Sequence, residues 1–235
     1  MRALWLLLAL GLAGCDAALS GGAGQFAPTL SPEEAARSFA EVVKAVEPQA
    51  EAECRRQAPR LNCDYRIVVD GRRGPPNAFQ SLDDAGRPVI TFTIALIASV
   101  DNADELAFIM SHEAAHHILT HLDRQRRNSE AGAVVFGELA TLSGGSANDV
   151  ARAQELGAAV GARAYSKDFE LEADELGTVI AHRAGYNPLI GAGFFARIPD
   201  PGNEFLGTHP PNSDRLAVVY RTSARLGVKP VEPSS

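Results

Sequence analysis

Hydrophobic positions recur with helical spacing over most of the chain, and a short β-rich stretch interrupts them from about residue 65. A helix is predicted from Ser31 to about Glu47, because a Ser cap precedes a Pro, two acidic residues and an apolar stripe. Helical spacing also predicts helices over residues 104–122, 166–184, 189–198 and 213–226. Residues 130–160 have a helical composition that is broken at 143–146, so we expect loose amphipathic helices packed against the core.

Three short segments are predicted to be strands. Residues 65–69 are β-branched and end at Asp70-Gly71, and residues 77–79 begin a second strand. Residues 89–94 alternate in polarity, which predicts a half-buried strand after a polar turn over 82–88. The predicted fold class is therefore α+β: mainly helical, with a small antiparallel sheet beside the helices.

The N-terminal segment has the pattern of an export signal and is too short for a membrane span. Arg2 precedes twelve apolar or small residues, from Ala3 to Gly14, whereas a bilayer core needs roughly 20. The run ends in Leu-Ala-Gly-Cys15, which resembles the bacterial lipobox, where the cysteine becomes the lipidated first residue of the mature protein. An ordinary signal peptide with an incidental Cys15 is the alternative. The predicted parts are a signal peptide over 1–14, a lipid-anchored linker over 15–30, a domain over 31–228 and a tail over 229–235.

The composition is that of a globular protein with an acidic balance. The 235 residues are 46% hydrophobic and 22% charged, and the formal net charge is −7. Because a nucleic-acid-binding protein needs a basic surplus to neutralise phosphates, no nucleic-acid partner is expected. In an oxidising compartment Cys54 and Cys63 are predicted to form a disulfide, and two free thiols are the alternative.

The strongest chemical signal is His112-Glu113-x-x-His116, inside a predicted helix. Residues four apart lie on one face of a helix, so both imidazoles can point at one ion. Glu113 lies about 100° further round the helix, within reach of a water held by that ion. Two neutral imidazoles with an adjacent carboxylate base are the signature of zinc hydrolases. The motif therefore predicts one Zn²⁺ per chain.

A third ligand is expected from another part of the fold, because a catalytic zinc usually takes three protein ligands. Glu170 and Asp174 lie one turn apart on one face of the helix predicted over 166–184, whereas Glu172 and Glu175 point elsewhere. Glu170 is therefore predicted as the third ligand, and Asp174 as the acceptor for the other ring nitrogen of a ligand histidine. A metal-free network of structural ion pairs is the alternative.

The order of these motifs resembles the gluzincin arrangement and, more narrowly, the M48 family of peptidases. The similarity extends over residues 31–226 through further motifs at 77–79, 105–107, 184–188 and 208–210. It implies a zincin-like fold and a zinc endopeptidase, with Glu113 as general base and Glu170 as third ligand. It also implies that His209 lies over the metal, where it either stabilises the developing oxyanion or takes the fourth ligand position and silences the enzyme. Arg215 matches an arginine of the same motif and could orient that loop or bind the reaction intermediate.

His117 and His121 form a second pair at helical i,i+4 spacing. On one continuous helix this pair is rotated about 100° from His112 and His116. Neither residue has a nearby carboxylate motif of its own, so packing or indirect support of the metal site is expected.

The expected substrate is protein. An extended segment could pair with the edge of the strand at Val89, Ile90, Thr91 and Phe92, which is a sequence-tolerant way to bind unfolded chains. With the signal and the lipid on Cys15, this predicts an endopeptidase for unfolded or misassembled proteins, attached to the inner or outer membrane on the periplasmic side of the bacterial envelope. Two alternatives are a non-proteolytic, zinc-bound chaperone or assembly factor, and a lipid-anchored binding module in which the histidine motif is coincidental.

Overall fold

The computed structural model describes residues 30–200, 207 and 209–229. The predicted signal peptide, Cys15, the linker up to residue 29 and the tail from residue 230 lie outside these residues, so their assignments stay predictions. The elements are α1 (Pro32–Gln57), β1 (Arg66–Asp70), β2 (Ala78–Leu82), β3 (Pro88–Thr93), α2 (Ile94–Ser99), α3 (Ala103–Ile118), α4 (His121–Leu142), α5 (Ala147–Arg163), α6 (Ser166–Arg183), α7 (Pro188–Gly191), a 3-10 turn (Ala192–Ala196) and α8 (Asn212–Leu226). The mainly helical α+β class is confirmed.

Helix α1 begins as predicted and ends ten residues later than predicted. The Ser31 side chain accepts a hydrogen bond from the Glu34 N–H, and the Glu34 carboxylate accepts one from the Ser31 N–H, which completes a capping box. The helix continues through Pro48, although proline removes one backbone hydrogen bond. Its second half is held by burial, because Ala50 and Cys54 lie in the core and the predicted disulfide joins Cys54 to Cys63.

The sheet is mixed, and the predicted antiparallel sheet is wrong in this respect. The strand order is β1-β3-β2, with β1 parallel and β2 antiparallel to β3. Every residue of β3 is buried, so the predicted half-buried pattern is also wrong. The predicted substrate edge at Val89, Ile90, Thr91 and Phe92 is wrong for a physical reason: both edges of β3 are already hydrogen-bonded to neighbouring strands. The alternation of side chains does not say which strand lies in the centre of a sheet.

The helix that carries the histidine motif ends earlier than predicted. Instead of one helix to Leu122, α3 ends at Ile118, and Thr120 adopts a left-handed conformation with φ 56° and ψ 37°. Such a conformation costs roughly 1–2 kcal/mol in a residue other than glycine. The sequence contains no glycine or proline at this point that would predict the turn. The chain changes direction there, and α4 begins at His121.

Helices α4 and α5 form a hairpin that packs mainly against itself. The predicted break at 143–146 is confirmed, but loose packing against the core is not what the structure shows. The two backbones touch, because a Cβ at Gly132 would lie 2.1 Å from the Gly157 carbonyl oxygen. Among the described residues, no helix combines the length and apolar character that a membrane crossing requires.

Helix α3 lies at the centre of the core, with buried contacts to α1 and α6. Its approach to α6 is close at Gly177, where a Cβ would lie 3.0 Å from the backbone Cα and N of His112. The lack of a side chain at Gly177 therefore lets α6 bring its carboxylates next to the histidines of α3.

Candidate metal centre and active site

Three side chains from two helices converge at the end of a cleft. His112 and His116 come from α3 and Glu170 comes from α6, and one ligand atom of each lies within 4.8 Å of the others. The two Nε2 atoms are 2.9 Å apart. The Glu170 carboxylate lies 3.6 Å from His112 Nε2 and 3.4 Å from His116 Nε2. The structure therefore brings together the three residues that the sequence predicted as ligands.

These distances fit a small tetrahedral cation. Ligand atoms at the usual zinc bond lengths of about 2.0–2.2 Å stand about 3.3–3.6 Å apart in a tetrahedron. The two distances from Glu170, from Oε2 to His112 and from Oε1 to His116, are close to this spacing, and the Nε2 atoms would separate by a few tenths of an ångström to reach it. Two imidazoles and one carboxylate are also the ligand set of many catalytic zinc sites.

The charges around His112 favour a cation at this position. Burial alone would lower the pKa of His112, but hydrogen bonds to Asp174 and Glu170 outweigh burial and raise that pKa to about 10. Burial would raise the pKa of Glu170, yet its contacts with His112, His116 and His209 hold that pKa well below its usual value. The carboxylates of Asp174 and Glu170 therefore favour a positive charge beside them, and either a proton on His112 or a metal ion can supply that charge.

Asp174 and Arg215 hold the His112 ring on its Nδ1 side. The Nδ1–H of His112 donates to the Asp174 carboxylate at 2.9 Å. Arg215 donates to both oxygens of the same carboxylate at 2.7 Å, and its guanidinium lies 3.9 Å from the centre of the Phe195 ring. Asp174 is fully buried, as the predicted acceptor role would require, and Arg215 is buried against it.

A second set of contacts holds His116 and was not predicted in detail. The His116 and His121 Nδ1 atoms are 2.8 Å apart, and His121 Nε2 lies 3.1 Å from Glu172. Burial lowers the pKa of His121 to about 4, against the opposing effect of its hydrogen bond to Glu172. This contact could not be predicted from the sequence, because on a continuous helix His121 points away from His116. The turn at Thr120 directs it back towards His116.

Glu113 and His209 face the cleft beside the three ligands. The cleft consists of two cavities of about 260 and 230 Å³. Both are lined by Glu113, His209 and Ala78 of β2. His209 is more than half exposed and lies 3.3 Å from the Glu170 carboxylate through Nδ1. The two residues therefore lie beside His112 and Glu170 in the lining of the cleft.

The two cavities differ in character. The larger is lined by β2, including Phe79 and Gln80, and by polar residues of α4 and α6 such as Gln125 and Ser166. The smaller is mainly apolar, and its lining side chains include Leu96, Phe108, Ile109, Phe194, Phe195 and Ile198. None of the four β3 residues predicted to bind substrate lines either cavity.

His117 does not join the site. Its Nε2 lies 2.7 Å from the backbone carbonyl oxygen of Asn62, and its ring packs edge-on against Tyr65 at 5.5 Å. Of the two roles expected for this pair, His117 therefore has packing in the core, whereas His121 contacts His116.

Comparisons with known proteins agree with this geometry. The profile of peptidase family M48 matches residues 36–223. A beta-barrel assembly-enhancing protease of Yersinia pestis is 29% identical over 153 residues, which cover 60% of this chain and 32% of that protein. The protein of the same name from Escherichia coli (strain K12) is 29% identical over 136 residues, which cover 52% of this chain and 28% of that protein. The matched segment thus spans about a third of the length of these curated relatives.

Proposed function

The chain belongs to peptidase family M48, and on that premise we propose that it is a zinc-dependent endopeptidase whose metal ligands are His112, His116 and Glu170. One observation carries the proposal: two imidazoles and a carboxylate from separate helices meet beside Glu113 in an open cleft. A purely structural ion-pair network would not need the Glu113 carboxylate and an open cavity at the same point.

The residues of the cleft have different roles in the proposed hydrolysis of a peptide bond. When bound, zinc lowers the pKa of a water molecule and polarises the scissile carbonyl group. Glu113 accepts the proton of the attacking water and later donates it to the leaving amine nitrogen. Asp174 and Arg215 keep the His112 ring in the tautomer that leaves Nε2 free for the metal.

His209 has two possible roles in this scheme. Its ring can donate a hydrogen bond to the oxygen on which negative charge develops, which would assist the reaction. Alternatively, its position 3.3 Å from Glu170 lets it swing onto the metal and close the site. The exposure of its side chain leaves room for both arrangements.

Strand β2 is the structural candidate for binding the substrate backbone. It is an edge strand of the sheet, and Ala78, Phe79 and Gln80 line the larger cavity. Gln80 is buried, and its side-chain amide donates a hydrogen bond to the Ser81 carbonyl oxygen at 2.8 Å, which fixes its side chain beside the cavity. Pairing with an edge strand suits extended, unfolded segments of many sequences.

The proposed substrates are unfolded or misassembled proteins of the bacterial envelope. The names of the relatives refer to assembly of β-barrel proteins, and the disulfide suits an oxidising compartment. The signal peptide and the lipid on Cys15 would place the domain at the periplasmic face of a membrane. A zinc-bound chaperone or assembly factor that does not cleave its clients remains the alternative function.

The proposal is tested with purified protein and a permanently unfolded substrate, such as β-casein. The wild type should cleave it, and Glu113→Gln should lose at least about 100-fold in rate, because general base catalysis contributes roughly that much. Glu138→Gln, on an exposed face of α4, is the control and should cleave normally.

Zinc content is measured on the same samples. Glu113→Gln should retain one zinc per chain, since Glu113 is not a ligand. Equal cleavage by the wild type and Glu113→Gln would contradict the mechanism. If the zinc-loaded wild type does not cleave but Glu113→Gln still supports folding of clients, the chaperone alternative is correct.

A further inference from the structure

We propose that His121 and Glu172 are positioning residues that hold the ring of His116 through its Nδ1 atom and thereby raise the affinity of the site for zinc. The inference rests on the proposed function, because it assumes that His116 is a metal ligand. It concerns two residues outside the histidine motif and the Glu170/Asp174 pair.

The contacts allow only one arrangement of protons once His116 binds a metal. The His116 Nε2 atom faces His112 and Glu170, so this nitrogen must offer its lone pair and the proton must be on Nδ1. Nδ1–H then donates across 2.8 Å to His121 Nδ1, which must be an acceptor. The remaining proton of His121 is therefore on Nε2, and it is donated to the Glu172 carboxylate at 3.1 Å.

His121 and Glu172 are each held by further contacts. The His121 ring is 4% exposed and stacks on Phe169, with ring centres 4.7 Å apart and planes inclined by 11°. Glu172 accepts hydrogen bonds from Arg124, whose guanidinium lies 4.2 Å from the centre of the same Phe169 ring. The rotamers of the hydrogen-bonded residues are thus fixed before a metal ion binds, which lowers the entropy cost of binding.

The two ligand histidines are supported in parallel ways. His112 donates directly to Asp174, which Arg215 holds, whereas His116 donates through His121 to Glu172, which Arg124 holds. A hydrogen-bond acceptor behind a ligand imidazole makes the ring a better donor to the metal and fixes its orientation. The turn at Thr120 is what makes the second support possible, because it directs His121 towards His116.

A merely structural role for His121 predicts a different outcome from a positioning role. If His121 only filled space against Phe169, then His121→Phe would bind zinc as the wild type does. If it positions His116, then His121→Phe should lower zinc affinity by about 10–100-fold, the usual effect of removing such a partner. His121→Asn should restore most of the affinity, because an asparagine side-chain oxygen can accept a hydrogen bond near the position of Nδ1.

The experiment measures zinc affinity of the full chain by titration against a competing chelator. The matched control is His117→Phe, because His117 is a buried histidine of the same region whose ring contacts Asn62 and no metal ligand. Thermal unfolding of the metal-free proteins separates loss of metal affinity from loss of folding. The visible spectrum of the cobalt-substituted protein should change in His121→Phe and not in His117→Phe, because it reports the geometry of the ligands.

A second pair of variants tests the Glu172 end of this series of hydrogen bonds without changing a core residue. Glu172→Gln should weaken zinc binding by about tenfold, at the lower end of the range for such partners, because a neutral amide is a weaker acceptor for His121. Glu175→Gln is the control, since Glu175 lies on the same helix and forms an exposed ion pair with Arg225.

Unchanged zinc affinity in both His121→Phe and Glu172→Gln would overturn the inference and leave the proposed function intact. The inference would also fail if His121→Asn and His117→Phe lost as much affinity as His121→Phe. A wild-type chain that binds no stoichiometric zinc would instead overturn the proposed function, and the positioning role with it.

Discussion

Asp174 is the most constrained charge in the molecule's candidate site. It has no exposed surface, and it lies between the His112 ring and the guanidinium of Arg215. A buried carboxylate of this kind is tolerable only when its partners are all in place, because its desolvation has to be offset by hydrogen bonds and opposite charge. Single-residue changes around Asp174 should therefore have larger effects than equivalent changes at the surface.

Replacement of Arg215 by methionine should strongly destabilise the protein. The variant keeps the bulk of the side chain but leaves Asp174 buried without its main counter-charge, which typically costs about 3–5 kcal/mol in the free energy of unfolding. Urea unfolding in the presence of a chelator measures this free energy. Arg225→Met on the same helix is the control and should change it little, because the ion pair of Arg225 with Glu175 is exposed. Equal effects of the two substitutions would contradict the role given to Arg215.

The stability of the metal-free protein should fall at alkaline pH. The pKa of His112 is about 10 in the folded chain, above the value of about 6.5 expected in an unfolded chain. Protonated His112 therefore stabilises the fold fully below pH 6.5, and this contribution is lost as the pH rises towards 10. Unfolding free energies measured with a chelator between pH 6.5 and 9.5 should show the decline in the wild type and a much smaller one in His112→Gln. A wild-type curve as flat as that of the variant would refute the assignment.

At the scale of the elements, the packing of α3 against α6 decides whether the ligands meet. The spacing of His112 with His116, and of Glu170 with Asp174, could be predicted because helix geometry alone fixes which residues share a face. The distance between the two helices could not be predicted, since it depends on Gly177 lying against the backbone of His112. Close approach of two helices leaves no periodic signal in the sequence.

Gly177→Ala should therefore weaken both the fold and the metal site. The added Cβ would lie 3.0 Å from backbone atoms of His112, and such overpacking costs about 1–3 kcal/mol. Because α6 also carries Glu170, a shift of this helix should lower zinc affinity as well. Gly193→Ala is the control, since its Cβ would meet only a Glu105 oxygen at 4.0 Å. Chelator titration and urea unfolding measure the two effects, and unchanged zinc affinity in Gly177→Ala would contradict this account of the helix pair.

Sequence patterns misassigned two kinds of feature: a strand whose pairing partners lie elsewhere in the chain, and a helix end that has no local stop residue. Strand β3 was predicted at the sheet edge, but its central place depends on β1 pairing from one side and β2 from the other. The end of α3 was predicted too late because Thr120 has no sequence feature of a helix stop. His121 was misplaced for the same reason, although it lies only five residues from His116.

At the scale of the whole molecule, one covalent link ties the long first helix to the loop that leads into the sheet. The disulfide joins Cys54, near the end of α1, to Cys63, with the two Cα atoms 5.7 Å apart. This pairing was predicted from the export signal, which makes an oxidising compartment the expected location. The link also fixes the segment next to Tyr65, whose hydroxyl donates to the Ala114 carbonyl oxygen of α3 at 3.0 Å.

Removal of the disulfide should destabilise the fold without disabling the site. The double substitution Cys54→Ser and Cys63→Ser frees a short loop, which should cost roughly 2–3 kcal/mol in unfolding free energy by the loop-entropy relation. Zinc stoichiometry should remain one per chain, because neither cysteine lines the cleft that holds the proposed ligands. Urea unfolding of the oxidised wild type and the double variant measures the difference. Equal stability of the two proteins, or reactive free thiols at Cys54 and Cys63 in the wild type, would contradict the disulfide.

A crystal structure of the zinc-loaded protein, with the ion located by anomalous scattering at the zinc edge, tests most directly whether α3 and α6 build a metal centre. We predict one zinc ion at about 2.0–2.2 Å from His112 Nε2, His116 Nε2 and a Glu170 carboxylate oxygen, with Glu113 beside the remaining coordination position. An ion bound elsewhere, or a Glu170 carboxylate turned away from an ion held by the two histidines, would contradict the proposed site.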